Sequence, residues 1–334
     1  MKEQNSLGSL IADTIQAHAL SATTTVSRVE PEGAAIPVTY GSSDRPPRGD
    51  YTTAHSDYVC DQNWPAYTPA QHDRYRRLYA DRIANLPGLA CDEFLDALAG
   101  MHASEAIPDL AAISIPLRRA TGWTLAPVPG LIPEDAFFAL LAARRFPITV
   151  WLREEDEFNY IVEPDVFHDF FGHVPLLFNP IFADHMAAFG RGGLRAAKLD
   201  GLKYLARIYW YTIEFGLIDT PDGLRIYGAG IVSSGSEPAH ALYAGEARRV
   251  AFDLERIMRS EYRIDTFQAT YFVIDSFKQL FEATSPDFAP LYRRLPELPS
   301  HPAGLVLPGE KTFTANERRK SPREPVNPRP PTGS

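Results

Sequence analysis

A mainly helical α+β domain with a small sheet is the fold class this sequence predicts, on three observations. Apolar residues recur at helical spacing through the middle of the chain, short β-branched or aromatic runs interrupt them, and no segment repeats. The first helical stripe is Tyr75, Leu78, Tyr79, Ile83 and Leu86; the second is Phe94, Leu95 and Leu98; the third is Val250, Ala251, Leu254 and Met258. Phe146 to Leu152 and Gln268 to Ile274 read as strands. Ahead of these, Leu7, Leu10, Ile11 and Ile15 suggest a short amphipathic helix in a leader rich in Ser, Thr, Gly and Pro. Behind them, nine prolines fall in the 39 residues from Pro296 onward, and positions 311–334 carry six basic residues against two acidic ones. The chain therefore divides into a flexible leader over 1–50, one folded domain over 51–298, and a Pro-rich, basic, disordered tail over 299–334.

Composition narrows the function classes without choosing one. At 334 residues and 45% hydrophobic content the chain can bury a substantial core. A net charge of −9 provides no footprint for nucleic acid or an anionic membrane. No window offers the roughly 18 apolar residues of a membrane span. Asp13 and His18 interrupt any signal-peptide core, which reads as a cytoplasmic protein. Cys60 and Cys91 lack clustered metal spacing and read as structural thiols in a reducing compartment.

The most chemically loaded stretch runs from Glu163 to His173, where His168 and His173 stand five apart among carboxylates and aromatic rings. A third ligand is at hand in Glu214, a lone carboxylate within the apolar run from Tyr209 to Gly216. Such a group is expensive to bury unless paired or coordinated. Two imidazoles and one carboxylate on one face of a metal leave the other positions open, the arrangement that suits non-haem Fe(II) and dioxygen. Zinc proteases instead place two histidines four apart with a glutamate after the first; here Asp169 follows His168. Five steps of a straight α-helix turn a side chain roughly 140° away, so the helix must end or bulge between the histidines, and Gly172 is placed for either. Taken alone, the histidines also fit ordinary hydrogen-bonded positions, and Glu214 a salt bridge to Arg207 or Lys203.

The strings from Glu163-Pro164-Asp165 to Gly172-His173, from Tyr209-Trp210 to Leu217, and Tyr227-Gly228-Ala229-Gly230 followed by Ser233-Ser234 resemble the pterin-dependent aromatic amino acid hydroxylases, bacterial members above all. Asp61-Gln62-Asn63-Trp64, Tyr67-Thr68-Pro69 and Arg118 to Trp123 extend the likeness from about Tyr58 to Leu295. The resemblance implies a single hydroxylase-type catalytic domain holding Fe(II) on His168, His173 and Glu214, with tetrahydrobiopterin or a related tetrahydropterin as co-substrate.

Further roles follow from the same resemblance. Arg153 holds the amino acid's carboxylate with help from Asp165, where the residues alone favour a salt bridge to Glu154, Glu155 or Asp156. Ser233 lies near that carboxylate and the iron-bound histidine. Phe137 stacks on the pterin while backbone groups of Gly130, Leu131 and Ile132 bond its edge. Pro164, Trp210 and Phe215, with His168 itself, pack on the substrate ring. Tyr209 offers a hydroxyl near the iron, although burial alone would also demand a partner for it. Glu163 and Asp169 support the ligands, Asp169 reaching the pterin through water; relatives often carry glutamate there. Gly235-Ser236 precedes Glu237 in an unexpected order, and the role of Glu237 is left open.

The implied reaction converts L-phenylalanine to L-tyrosine in phenylalanine catabolism, dioxygen reacting only when pterin and amino acid are both in place. The protein supplies positioning and a dry pocket while iron and pterin carry the electrons. Phenylalanine is favoured because Ile264 falls where a tyrosine-hydroxylating relative carries a polar residue; tryptophan stays open, since apolar pockets discriminate modestly. A leader of some 50 residues and a tail without heptads imply a monomer lacking the regulatory domain and oligomerising helix of eukaryotic relatives. Pterin-recycling enzymes are the expected functional partners. A zinc or manganese hydrolase using the same ligands, or a silent binding protein, would consume no oxygen.

Overall fold

Thr68 starts α1 (Pro69–Asn85) through a capping box, its hydroxyl accepting the Gln71 amide at 3.3 Å while the Gln71 side chain accepts the Thr68 amide at 2.9 Å. The first predicted stripe lies on this helix and buries Tyr75, Leu78 and Tyr79; the second lies on α2 (Asp92–Gly100) and buries Phe94 and Leu98. Asp109 caps α3 (Leu110–Thr121) by accepting the Ala111 and Ala112 amides, and Gly122 ends it at φ +79°. This computed structural model describes residues 48–316 apart from 159, 160, 162, 264 and 265. The helix expected around Leu7 to Ile15, Ile264, and the tail beyond 316 lie outside the described residues.

Next comes a βαβ unit: β1 (Thr124–Val128), α4 (Glu134–Ala142) and β2 (Arg145–Thr149), its strands paired in parallel from Thr124 opposite Arg145 to Val128 opposite Thr149. A π-helical turn (His168–His173) runs into α5 (Val174–Leu177), followed by α6 (Pro180–Ala196) and α7 (Leu202–Tyr209). Directly after α7 comes a second π-helical turn (Trp210–Glu214). The hairpin β3 (Leu217–Thr220) and β4 (Gly223–Ile226) leads to α8 (Ala229–Val232), α9 (Glu237–Tyr243), β5 (Arg248–Ala251), α10 (Leu254–Met258), β6 (Thr270–Ile274), α11 (Phe277–Thr284) and α12 (Ala289–Arg294). These strands form a second sheet in the order β4-β3-β6-β5, antiparallel only in the hairpin. The α+β class predicted from the sequence is the one observed.

One stripe needs correction. Val250 and Ala251 belong to β5, and only Leu254 and Met258 lie on a helix. A strand turning directly into a helix can mimic helical spacing over a few residues. The predicted strands are present but shorter, as β2 and β6.

Close approach of α6 to α4 depends on two glycines. A Cβ on Gly190 would stand 2.4 Å from the Ala142 amide nitrogen, and one on Gly193 would stand 2.1 Å from the Phe138 ring. Gly193→Ala is expected to lower stability by about 1–3 kcal/mol through overpacking, read as a lower denaturant midpoint at unchanged slope.

The folded unit is longer at both ends than 51–298. Residues after 298 lie along the otherwise open edge of β5: Ala251 N donates to Lys311 O at 2.9 Å and Phe313 N to Arg249 O at 2.8 Å. Arg256 pairs with Glu310 at 2.7 Å, and Asn316 N reaches Leu242 O at 2.9 Å. An unpaired strand edge takes up backbone partners whatever their composition, so proline and charge content concealed the contact. At the other end Arg48 and Gly49 pack on the loop carrying Pro129 and Gly130.

Cys60 and Cys91 are both free and buried, as structural thiols should be. Burial pushes their thiols up to about 11 and 12, so neither forms a thiolate at neutral pH. No helix of the described residues is long and apolar enough to cross a membrane.

Candidate metal centre and substrate pocket

His168 and His173 share one π-helical turn and Glu214 closes the other. Bonding from a carbonyl to the amide five residues on, as from Phe215 N to Trp210 O at 2.8 Å, brings side chains five apart to the same side. So the helix bulges between the histidines and does not end there. Gly172 permits close packing instead of capping: a Cβ on it would lie 3.0 Å from both the Cβ and the carbonyl oxygen of Ala229 on α8.

The three side chains converge. His173 Nε2 lies 3.2 Å from Glu214 Oε1, His168 Nε2 lies 3.7 Å from Glu214 Oε2, and the potential ligand atoms are all within 4.8 Å of one another. Glu214 makes no salt bridge to Arg207, which donates to the Met258 carbonyl at 2.8 Å, or to Lys203, which lies over the Tyr204 ring. Burial pushes the Glu214 carboxyl up, but His173, His168 and the Tyr209 hydroxyl outweigh it and hold the group below the usual carboxylate range.

Ser233 sets the tautomer of His168. Its hydroxyl donates to Ala229 O at 2.7 Å, so its single proton is committed, and at 2.9 Å it accepts from His168 Nδ1–H. His168 Nε2 is then the lone pair facing Glu214. Burial lowers the imidazole pKa to about 4, which keeps the neutral form a metal requires. Ser233→Ala is expected to weaken metal binding about 10- to 100-fold, the usual cost of losing the partner of a ligating histidine, as checked by titrating the metal-free protein with cobalt(II).

Beside the histidines lies a buried ion pair. Arg153 donates from Nε and Nη2 to the two oxygens of Asp165, each at 2.8 Å, and Asp165 also accepts the Arg153 and His168 amides at 2.9 and 3.0 Å. Arg153 does not pair with Glu154 or Glu155, which are engaged by Arg74 and Arg77. Nη1 takes no part in the Asp165 pair.

Phe137 meets Tyr209 edge to face at 5.9 Å between ring centroids, and Tyr209 lies 6.3 Å from the His173 ring. On the other side Trp210 and Phe215 have ring centroids 4.6 Å apart. Asp169 is buried, accepts the Thr149 amide at 2.8 Å, and is raised by burial to about 7. Glu163 is likewise raised by burial, with Oε2 unpartnered among the described residues. Leu131 O in the Gly130–Ile132 loop accepts the Tyr51 hydroxyl at 2.9 Å. Pro164 lies half-buried between Glu163 and Asp165.

Two imidazole nitrogens and one carboxylate brought together are the ligand set the sequence predicts. A family model described as biopterin-dependent aromatic amino acid hydroxylase matches residues 41–294. The chain belongs to that family. Among curated relatives of this hydroxylase, phenylalanine-4-hydroxylase of Ralstonia nicotianae is 55% identical over 270 residues, covering 80% of this chain and 86% of the relative. Phenylalanine-4-hydroxylase of Chromobacterium violaceum is 52% identical over 265 residues, covering 79% and 89%. A crystal structure of phenylalanine hydroxylase from Chromobacterium violaceum bound to cobalt superposes with a TM-score of 0.76 at 52% identity, covering 78% of this chain and 95% of that one.

Several residues of this hydroxylase site escaped sequence reasoning. Tyr51, at the first position of the predicted domain, and Arg48, in the segment read as leader, cover the Gly130–Ile132 loop. Arg82, almost wholly buried, donates Nε to Ser233 O at 2.9 Å and so braces the residue that orients His168. A buried arginine on an otherwise apolar stripe is the signal that could have found it.

Proposed function

We propose that this chain hydroxylates L-phenylalanine to L-tyrosine with dioxygen and a tetrahydropterin at a mononuclear Fe(II) held by His168, His173 and Glu214. The convergence of those three ligands beside the Arg153–Asp165 pair carries the reading. Two imidazoles and a carboxylate suit Fe(II) and leave positions for co-substrates, whereas closed four-ligand structural zinc sites do not. The names of the relatives at 52–55% identity point the same way.

Bound there, Fe(II) on His168, His173 and Glu214 and a tetrahydropterin would supply the redox chemistry that activates dioxygen. The chain supplies position. Asp165 holds the Arg153 guanidinium so that Nη1 can bond the substrate carboxylate. Pro164, Trp210, Phe215 and the His168 ring form an apolar slot for the aromatic ring, and Phe137 offers a face to the pterin. Backbone groups of Gly130, Leu131 and Ile132, with Asp169 through water, would bond the pterin edge. The Tyr209 hydroxyl helps keep the Glu214 carboxylate ionised, while Glu163 supports the ligands.

This reading includes a monomeric, cytoplasmic enzyme served by pterin-recycling enzymes. The test is incubation with Fe(II), tetrahydropterin, oxygen and phenylalanine, with tryptophan as competitor. Tyrosine formed in step with oxygen consumed supports the proposal; turnover without oxygen consumption would point to a hydrolase, and preference for tryptophan would reassign the substrate.

A further inference from the structure

Glu237, for which the sequence suggests no role, stands at the root of a hydrogen-bonded chain that ends on the pocket wall. It is buried in the first turn of α9, where Oε1 accepts the backbone N–H of Gln268 at 3.1 Å and the Tyr271 hydroxyl. Gln268, also buried, lies just ahead of β6. Its Oε1 accepts the indole Nε1–H of Trp210 at 2.9 Å, and its Nε2 donates to Arg263 O at 2.6 Å. The amide has one workable orientation, since a flip would set N–H against N–H and oxygen against oxygen.

Trp210 is thereby fixed in the plane of its ring. Its faces are fixed as well, by Tyr262 stacked at 4.6 Å and 17° and by Phe215 at 4.6 Å and 37°. Phe215 in turn borders the metal ligands: a Cβ on Gly230 would lie 3.0 Å from Phe215 Cζ and 3.1 Å from Glu214 Oε2. The indole is the part of this wall with a polar handle, and Gln268 holds it.

We infer that Gln268, anchored by Glu237, is a positioning and specificity-determining residue that sets the indole of Trp210 and hence the width of the aromatic slot. The inference rests on the hydroxylase reading above. Gln268 touches neither metal nor substrate; it acts through Trp210. Losing the bond frees the indole to rotate, which widens the slot and loosens the registry of the substrate ring over the metal.

The test compares the Fe(II)-loaded full chain with Gln268→Met, which keeps volume and removes both bonds, and with Gln268→Glu, which keeps an acceptor for the indole. Gln268→Met is expected to raise KM for phenylalanine about five- to tenfold with kcat within about twofold, the scale of one buried hydrogen bond unmade. It should also narrow the preference for phenylalanine over tryptophan and lower the tyrosine formed per pterin oxidised, at unchanged iron affinity. Gln268→Glu should recover part of that preference. In a Trp210→Phe background, Gln268→Met should add nothing. A Gln268→Met enzyme with wild-type KM, substrate ratio and coupling overturns the inference. Should that variant not fold, the Trp210 indole N–H resonance of the zinc-loaded wild type decides: it is expected to shift as phenylalanine saturates the site, and no shift at saturation overturns the inference. Absence of tyrosine from the wild type would instead sink the hydroxylase reading.

Discussion

Glu214→Ala is expected to produce a folded protein that retains no Fe(II) and makes no tyrosine. Loss of a ligand should exceed the roughly 10- to 100-fold that loss of a ligand's hydrogen-bond partner costs, and two imidazoles alone on a π-helical turn are a poor trap for a hard divalent ion. The fold has little stake in this carboxylate. Its partners are His173, His168 and Tyr209, all of them facing the site. A carboxylate taken out of water without its metal contributes little net stability, so the metal-free variant should unfold within a few degrees of metal-free wild type. The difference appears on adding Fe(II): wild type should gain thermal stability by mass action and Glu214→Ala should not. His168→Ala should behave alike. Iron content by absorption spectroscopy and tyrosine formation check both, and a variant that keeps iron and turnover would remove these residues from the metal.

The chemistry of this site was more legible in the sequence than its framework. Two histidines five apart cannot share a face of an α-helix, so the spacing itself required an end or a bulge, and the π-helical turn at His168–His173 decides for the bulge. Glu214 was legible for a similar reason, as a carboxylate with no cheap place in an apolar run. What stayed hidden depends on contacts between residues far apart in sequence. Gln268 holds Trp210 across 58 residues and nothing in its own neighbourhood signals such a task, while Ser233 was placed beside His168, 65 residues away, by the family likeness and not by its own surroundings. Residues 311–313 read as tail because composition reports the cost of ordering a segment but not the strand edge that accepts it. The failed third stripe has a local cause: β5 ends at Ala251 and α10 begins at Leu254, too close for periodicity to separate.

Asp165→Ala is expected to cost about 3–5 kcal/mol, more than any other single substitution near the site, because it leaves the Arg153 guanidinium buried without its counter-charge. Asp165 is fully buried and accepts four hydrogen bonds, two from Arg153 side-chain nitrogens and two from backbone amides. One of those amides belongs to His168, so the same loss should loosen the metal turn. Burial pushes the Asp165 carboxyl up, yet Arg153 and the amide donors outweigh it and hold it below its ordinary 3.8. With a lowered folded pKa, this contribution is present above the ordinary value and is lost as pH falls through the folded one. Acid unfolding of the wild type should therefore include a step that Asp165→Ala lacks. The pair also separates two roles. If Arg153 serves only the fold, Arg153→Met with Asp165→Leu should restore both stability and phenylalanine affinity, since an apolar pair can replace a buried ion pair. With Nη1 reserved for the substrate carboxylate, the double variant should regain much of the stability measured by urea unfolding while KM for phenylalanine stays raised at least about tenfold, the scale of a lost charge-assisted hydrogen bond.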